Sequence, residues 1–243
     1  MTSVVTGANG AIGKAAVSLL TDAGEEVIAH DLRMPAVDSD LVQPVQGDLL
    51  DPAGHDSLRA MIPDQGLQCV IAAHGIEGAG ALGAMTPEFI RAVVDVNFTC
   101  VTALLTATLP ALEHAGGRFV AVSSQAGLIG EANNTAYSAA KFALIGWARE
   151  LGPELARRGV GLHVLCPGCT ESPLLYNAQE GFARANGATT RDEITDFIAA
   201  RAAQIPIGRF AAAEETAAAA VYLGTGPGPR PRVLAATGGD VVW

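Results

Sequence analysis

Tyr137 and Lys141 are the two residues whose spacing most directly suggests chemistry. They stand four positions apart in Tyr137-Ser-Ala-Ala-Lys141, and residues at i and i+4 share one face of a helix. An ammonium group beside a phenol favours the phenolate and lowers the Tyr pKa from its reference value of about 10. Tyr137 could therefore exchange a proton with an alcohol or a carbonyl group as a general acid/base. Taken alone, however, the pair is more typical of an exposed helical surface.

A glycine-rich turn near the start of the chain predicts a dinucleotide site. The segment Gly7-Ala-Asn9-Gly10-Ala11-Ile12-Gly13 follows an apolar strand and opens a helix. Such a turn lets the backbone approach a pyrophosphate, which the helix N-terminus attracts. The turn is not the phosphate-binding loop of nucleoside triphosphatases, because Lys14 is followed by Ala15 rather than Ser or Thr. A purely structural turn is the alternative.

Asp31 is predicted to select the cofactor. It ends the second strand, 18 residues after Gly13, where a carboxylate can accept both hydroxyls of an adenosine ribose and repel a 2′-phosphate. The adjacent Leu32 carries no positive charge to neutralise a 2′-phosphate. Arg33 is close enough that NADP remains an alternative. We therefore predict NAD rather than NADP, with Asp48 and Leu49 at the adenine edge. A capping role for Asp31 is the alternative.

Strands and helices must alternate to position these residues. This order predicts right-handed βαβ units and a parallel sheet in an α/β fold, built as one doubly wound domain over 1–243 with a substrate lid at about 171–205. A Gly/Pro-rich stretch at 225–232 is more typical of a surface turn than of a linker. The strands are predicted at 3–6, 26–30, 42–46, 67–73, 118–123, 160–166 and 232–236; the helices at 11–23, 52–61, 87–114, 136–158 and 213–223; and 172–205 is expected to be irregular, with short helices.

Composition and charge argue against several classes of function. Of the 243 residues, 49% are hydrophobic and 16% charged, as in a globular protein. The formal charge of −10 argues against nucleic acid or an anionic membrane surface as a partner. The longest apolar run, at 101–112, contains Pro110 and falls short of a membrane span of ~20 residues. No signal peptide is evident, so the cytoplasm is the expected location.

These motifs together resemble the short-chain dehydrogenase/reductase family, in its short single-domain branch, over almost the whole chain. Ser124 stands 13 residues before Tyr137, and Asn97 ends Val94-Asp-Val-Asn97, as in that family's active site. The resemblance implies a Rossmann-like sheet of about seven strands with helices on both faces. It also implies a catalytic set of Asn97, Ser124, Tyr137 and Lys141. In that set Ser124 donates a hydrogen bond to the substrate oxygen, Lys141 also binds the nicotinamide ribose, and Asn97 holds a water that links Lys141 to solvent.

The same resemblance implies the rest of the cofactor site. Pro167-Gly168 follows the sixth strand, and Thr170 and Ser172 match positions that hold the carboxamide of nicotinamide. The implied cofactor-binding residues are Gly7, Asn9, Gly10, Ala11, Ile12, Gly13, Asp31, Leu32, Asp48, Leu49, Ala73, His74, Gly75, Tyr137, Lys141, Pro167, Gly168, Thr170 and Ser172.

Two departures from the family pattern stand out. The spacing Gly7-x-x-Gly10-x-x-Gly13 resembles the extended branch, and Ala11 stands where the single-domain branch more often has Gly. The family's Asn-Asn-Ala-Gly after the fourth strand is Ala72-Ala73-His74-Gly75 here, so the bracing of the sheet must differ. We expect His74 near the cofactor ribose, in a structural rather than a catalytic role.

Cys166-Pro-Gly-Cys169 could be a redox pair or half of a zinc site. Its place in the family's Pro-Gly turn favours an ordinary turn, and no metal is predicted.

Three segments are expected to surround the substrate: the lid, the stretch 75–78 and the loop 126–134. The lid carries Leu174, Leu175, Tyr176, Phe182 and Phe197, and the other two walls contain small and apolar residues. They predict an uncharged cyclic or aliphatic secondary alcohol, and the stretch 167–175 looks like that of bacterial hydroxysteroid dehydrogenases.

The predicted function is NAD-dependent interconversion of a secondary alcohol and a ketone. A sugar or polyol dehydrogenase, an epimerase of the same family and a non-catalytic NAD-sensing regulator are the alternatives. A β-ketoacyl reductase is disfavoured by the acidic charge. Apolar residues on the two long helices suggest a homo-oligomer, a dimer or a tetramer.

Overall fold

The computed structural model describes residues 1–80, 83, 85–227 and 230–241, in which strands and helices alternate. The strands are β1 (Thr2–Thr6), β2 (Glu26–Asp31), β3 (Val42–Gln46), β4 (Cys69–Ala72), β5 (Arg118–Val122), β6 (Gly161–Pro167) and β7 (Val233–Ala236). The helices are α1 (Ala11–Asp22), α2 (Pro52–Arg59), α3 (Pro87–Val94), α4 (Cys100–Ala115), α5 (Thr135–Arg157), α6 (Pro173–Ala185), α7 (Arg191–Gln204) and α8 (Ala213–Thr225). A π-helical turn (Asp95–Thr99) joins α3 to α4, and a 3-10 turn (Gln125–Gly127) precedes α5.

The strands form one parallel seven-stranded sheet in the order β3-β2-β1-β4-β5-β6-β7. Every residue of β1 and β4 is buried, as expected of strands covered by helices on both faces. The order reverses between β1 and β4, so a crevice opens there at the carboxyl ends of the strands. The sequence predicted this α/β architecture, and the structure confirms it.

Two apolar layers hold the helices on the sheet. On one face, Leu104 of α4 and Leu144 of α5 pack with Val70 and Phe119 of the central strands. On the other face, Leu20 of α1 and Leu223 of α8 pack with Ile71. Burying a side chain of this size contributes roughly 1.5–3 kcal/mol, so both layers fix the strand ends that carry the site.

The helix formed by α3, the π-helical turn and α4 is longer than the apolar run visible in the sequence. It is 29 residues long and contains an 18-residue window with a mean hydropathy of 1.6, enough by length and composition to cross a membrane. Val93, Val101, Leu104 and Leu112 are fully buried in the chain's own core. That packing is typical of the core helix of a folded domain.

The segment 172–205 was expected to be irregular with short helices; the structure confirms helices there, but they are longer and more regular than expected, with 13 residues in α6 and 14 in α7. The Ser172 hydroxyl caps α6 by accepting from the backbone N–H of Leu175 at 3.0 Å. Thr190 and Glu193 form a reciprocal capping box at the start of α7. Both caps satisfy backbone donors that an irregular segment would leave to water. β4 also begins at Cys69 rather than 67, and the predicted turn at 225–232 lies partly outside the described residues.

Candidate active site

Tyr137 and Lys141 lie on the same face of α5, as predicted. The Lys141 Nζ atom is 5.4 Å from the centroid of the Tyr137 ring. It donates a hydrogen bond of 2.9 Å to the backbone carbonyl of Val122 at the end of β5. Lys141 is 3% exposed, and an ammonium this buried must be held by acceptors. The carbonyl therefore anchors the cation beside the phenol.

The electrostatics of this pair differ from the sequence prediction. Burial lowers the pKa of Lys141 to about 8. Burial, and then the negative charge of Glu77, raise the pKa of Tyr137, while a hydrogen bond with Ser124 opposes the rise. The prediction that Lys141 sets a lowered Tyr137 pKa is wrong for this chain, because desolvation dominates. Tyr137 is thus a protonated phenol that can donate its proton.

Ser124 and Asn97 reach this centre from other elements. Ser124 follows β5, and its hydroxyl accepts from the backbone N–H of Ala126 at 3.1 Å. Asn97 lies in the π-helical turn and is fully buried. Its Nδ2 donates to the carbonyls of Ile76, at 3.0 Å, and of Val93, at 2.9 Å. Asn97 therefore braces the backbone that follows β4.

Close packing at Gly75 sets Asn97 beside Lys141. A Cβ atom on Gly75 would lie 2.7 Å from the Asn97 Oδ1 atom and 3.6 Å from the Lys141 Nζ atom. A side chain at this position would therefore displace the brace. The carbonyl-bonded Asn97 amide and the Lys141 ammonium flank the same glycine.

The glycine turn has the geometry of a phosphate cradle. Gly7 adopts a left-handed backbone with φ of 69°, and a Cβ atom on Gly13 would lie 2.1 Å from the Gly7 carbonyl oxygen. Gly10 caps α1 with no side chain over its first N–H groups. Free backbone donors at a helix N-terminus fit a pyrophosphate, so the turn fits a dinucleotide.

Asp31 lies at the far end of this turn. Its Oδ2 atom accepts the backbone N–H of Asn9 at 3.0 Å, and its Oδ1 atom accepts that of Arg33 at 3.3 Å. The Asn9 Nδ2 donates to the carbonyl of Arg33 at 2.8 Å. These bonds fix the carboxylate at the mouth of the site, where an adenosine ribose would bind.

His74 braces the loop after β4. The sequence predicted that this bracing would differ from the family's, because His74 stands in an altered motif. Its Nδ1 atom lies 2.6 Å from the hydroxyl of Thr6, which ties the loop after β4 to the end of β1. Burial, and then the charge of Lys141, lower the pKa of His74 to about 3. His74 is therefore a neutral imidazole at physiological pH, in keeping with the structural role expected for it.

A cavity of about 410 Å³ brings most of the predicted residues together. Asn9 and Asn97 lie outside its lining; they hold Asp31 and the loop after β4 in place. Thr170 and Ser172 line the cavity while bonded within the chain: Thr170 to Thr216 at 2.8 Å, and Ser172 to the α6 backbone. The other predicted residues that line it are Gly7, Gly10, Ala11, Ile12, Gly13, Asp31, Leu32, Asp48, Leu49, Ala73, His74, Gly75, Ser124, Tyr137, Lys141, Pro167 and Gly168.

Sequence reasoning did not assign seven polar residues that line the same cavity. They are His30, Glu77, Ser123, Gln125, Glu131, Asn134 and Gln179. The stretches 75–78 and 126–134 were predicted as small and apolar walls, and that prediction is wrong for the two carboxylates. The signal was present, since the predicted walls themselves contain Glu77 and Glu131.

Cys166 and Cys169 are buried free thiols. Burial raises the pKa of each to about 11. Because the thiolate is the reactive form, neither side chain is set up as a nucleophile, and the Cys-x-x-Cys segment is a structural turn.

Comparison with known proteins decides the family. The family model described as short chain dehydrogenase matches residues 2–181. This chain belongs to the short-chain dehydrogenases. It is an oxidoreductase of the kind that acts on hydroxyl or ketone groups, using a nicotinamide cofactor.

Two relatives show the range of activities around this short-chain dehydrogenase. It is 32% identical over 243 residues to an acetoacetyl-CoA reductase of an Acinetobacter species, covering 91% of this chain and 89% of that protein. It is 27% identical over 234 residues to a D-beta-hydroxybutyrate dehydrogenase of Cupriavidus necator, covering 91% and 90%.

Solved structures agree on the fold. A short chain dehydrogenase/reductase family oxidoreductase from Burkholderia thailandensis matches with a TM-score of 0.83 and 29% identity, over 98% of this chain and 92% of that one. An actinorhodin polyketide ketoreductase solved with NADPH matches with a TM-score of 0.86 and 24% identity, over 98% and 96%.

Proposed function

We propose that this short-chain dehydrogenase interconverts an uncharged secondary alcohol and a ketone, with NAD as the cofactor and Tyr137 as the general acid/base. One observation carries the proposal. Tyr137, Ser124 and Lys141 meet in a cavity that also reaches Asp31 and the glycine turn. A proton-transfer group and a dinucleotide cradle in one cavity are what alcohol oxidation by hydride transfer requires.

Tyr137, Ser124 and Lys141 have separate roles in the proton transfer. In the direction of reduction, the Tyr137 phenol donates its proton to the substrate oxygen. In oxidation Tyr137 must first lose its proton, and the phenolate, which the Lys141 ammonium stabilises, then accepts the proton of the alcohol. The Ser124 hydroxyl donates a hydrogen bond to the same oxygen as charge develops there. Lys141 has three N–H donors, of which one is bonded to Val122. The others are available for a ribose hydroxyl and for the phenolate.

The nicotinamide supplies the hydride acceptor or donor when it is bound. The glycine turn would hold the pyrophosphate, and Asp31 the adenosine ribose. A carboxylate accepts from ribose hydroxyls but repels a 2′-phosphate, which supports NAD over NADP. Because the actinorhodin ketoreductase was solved with NADPH, the activity with NAD must be compared with the activity with NADP.

The lid supports an uncharged substrate. Leu174, Leu175, Ala178 and Phe182 of α6 line the cavity and would exclude water from the reacting carbon on closure. A cyclic or hydroxysteroid-like alcohol fits an apolar lid of this kind. An acyl chain of the sort handled by the acetoacetyl-CoA reductase is the second candidate, since that relative is 32% identical.

Turnover of the purified protein, followed by nicotinamide absorbance, tests the proposal. NAD and NADP are each paired with cyclic alcohols, hydroxysteroids, polyols and 3-hydroxyacyl thioesters, and the reduced cofactors with the matching ketones. We expect NAD-linked oxidation of a neutral secondary alcohol. Tight NAD binding without any turnover would overturn the proposal in favour of an NAD-sensing regulator.

We also propose a cytoplasmic homo-oligomer. Phe89 of α3 and Phe142 of α5 are 39% and 41% exposed on the two long helices. Exposed aromatic side chains favour a subunit interface there. Sedimentation equilibrium separates a dimer or a tetramer from the monomer that would contradict this.

A further inference from the structure

The backbone that follows β4 runs along α5, past Lys141 and Tyr137. A Cβ atom on Gly75 would lie 3.6 Å from the Lys141 Nζ atom. A Cβ atom on Gly78 would lie 2.7 Å from the Tyr137 Cβ atom and 3.1 Å from the Tyr137 backbone nitrogen. The two glycines therefore let this backbone pack directly on the helix face that carries the proton-transfer pair. Glu77 stands between them in the chain and lines the same cavity as Tyr137 and Lys141.

The carboxylate of Glu77 is fixed by its own turn. Its Oε1 atom accepts the backbone N–H groups of Gly78, at 2.9 Å, and of Ala79, at 2.8 Å. Two such donors favour the charged form of a carboxyl group. Burial raises the pKa of Glu77, and these two hydrogen bonds oppose the rise. Glu77 is thus a negative charge that is held in one place beside Tyr137.

Charges of both signs surround the Tyr137 phenol. Glu77 comes from the loop after β4, and Glu131 comes from the loop before α5, where two amide side chains donate to its carboxylate. After burial, the charge of Glu77 and then that of Glu131 raise the pKa of Tyr137. Lys141 is the one Lys or Arg side chain among the described residues that line the cavity. Two negative charges therefore oppose one positive charge around this phenol.

The other groups near this end of the cavity do not offset the carboxylates at neutral pH. Burial lowers the pKa of His74 to about 3 and raises the pKa of Cys166 and of Cys169 to about 11, so all three side chains are uncharged. The described residues of α6 that line the cavity are also uncharged. Further charged side chains lie on α3, where they pair with each other, in the π-helical turn and at the cofactor end of the cavity: Glu88 and Arg91, Asp95, and Asp31 and Asp48.

We infer that Glu77 acts through Tyr137 as a positioning residue for the proton: its carboxylate opposes formation of the phenolate and so keeps the phenol competent to reduce a ketone at alkaline pH. This inference rests on the proposed function. In reduction the phenol O–H bond breaks as its proton passes to the substrate oxygen. A negative charge nearby disfavours the phenolate that is left, and it favours the return of a proton from solvent after each turnover.

The effect should appear in the pH dependence of both directions. An enzyme does not change the equilibrium between alcohol and ketone, so the charge of Glu77 cannot favour one direction at a fixed pH. It sets the pH at which Tyr137 passes from proton donor to proton acceptor. Ketone reduction falls as Tyr137 loses its proton, and alcohol oxidation rises over the same range.

Profiles of kcat/KM against pH for wild type and Glu77→Gln test the inference, with NADH and NAD and the fastest ketone and alcohol pair of the turnover panel. Gln keeps an oxygen that can accept both backbone N–H groups and removes only the charge. We expect the fall of reduction and the rise of oxidation both to move to lower pH by about one unit. Coincident profiles would overturn the inference and leave the proposed function standing. No turnover of any alcohol or ketone would overturn both.

Glu88→Gln is the matched control, because it removes the same charge from an exposed position where Glu88 pairs with Arg91. Its profiles should match those of the wild type; an equal shift would contradict the inference, since overall charge would then be the cause. Glu131→Gln should move both profiles in the same direction as Glu77→Gln but by less, and it carries the test if Glu77→Gln does not fold. A raised KM for the ketone with both pH profiles in place would show a purely structural role for Glu77 and contradict the inference.

Discussion

The hydroxyl of Thr6 and the Nδ1 atom of His74 lie 2.6 Å apart, which joins the end of β1 to the loop after β4. The contact is directly below the glycine turn, since a Cβ atom on Gly7 would lie 2.7 Å from the His74 Cα atom. It holds together the two strands between which the sheet order reverses. His74 therefore does the bracing for which the family pattern uses Asn.

Removing this brace should destabilise the fold. His74→Ala leaves the Thr6 hydroxyl unpaired at a fully buried position, and an unpaired buried group costs about 1–3 kcal/mol. We expect the free energy of unfolding, measured in urea, to fall by that amount. His114→Ala is the control, because His114 is exposed near the end of α4. Equal stability of the two variants would show that the brace contributes nothing.

The same residue makes stability depend on pH. The pKa of His74 is about 3 in the folded chain, against about 6.5 when unfolded. The unfolded chain therefore binds the proton first, so stability is full above pH 6.5 and falls as the pH drops towards 3. His74→Asn removes this titration, and the wild type should lose about 2 kcal/mol more than the variant between pH 7 and 5. Parallel urea-stability curves would contradict the assignment.

Motifs that act locally could be predicted from the sequence. The glycine turn, Asp31 and the Tyr137–Lys141 pair each depend on a few neighbouring residues or on one helical turn. The structure confirms their shared cavity. The caps at Ser172 and Thr190 are equally local, but the prediction of an irregular lid with short helices did not use them to place α6 and α7.

Contacts between distant segments could not be predicted in this way. Thr6 and His74 stand 68 positions apart, and only the parallel pairing of β1 with β4 brings them together. The Tyr137 pKa also depends on burial and on Glu77, which the α5 sequence does not contain. The i,i+4 argument placed the phenol and the ammonium correctly but gave the wrong sign for the Tyr137 pKa shift.

Asp31 should govern the choice of cofactor. Asp31→Ser removes the carboxylate that would accept the adenosine ribose hydroxyls. A hydrogen bond to a charged group is worth about 1.5–3 kcal/mol, so the NAD-to-NADP ratio of kcat/KM should fall by about tenfold or more. Asp38→Ser, in the exposed loop after β2, serves as the control. If the NAD-to-NADP ratio stays at the wild-type value, Asp31 does not determine the cofactor preference.

Asn97 should matter through the loop that it braces. Asn97→Ala removes bonds to the carbonyls of Ile76 and Val93 and leaves them buried. We expect about 1–3 kcal/mol less stability in urea, and a higher KM as the Glu77 wall loosens. Thr99→Ala, exposed in the same π-helical turn, should change neither. A fall in kcat at unchanged stability would favour the water-holding role implied by the family resemblance.

Tyr137→Phe tests the proton transfer most directly, because it removes one oxygen and keeps the ring beside Lys141. General acid/base groups contribute about 10²–10⁴-fold to rate, so kcat should fall by about a thousandfold. Cofactor binding, measured by the fluorescence of bound NADH, should persist, since the glycine turn and Asp31 are untouched. Tyr222→Phe, at a 41% exposed position on α8, is the control and should retain turnover. Undiminished kcat in Tyr137→Phe would require a different proton donor at this site.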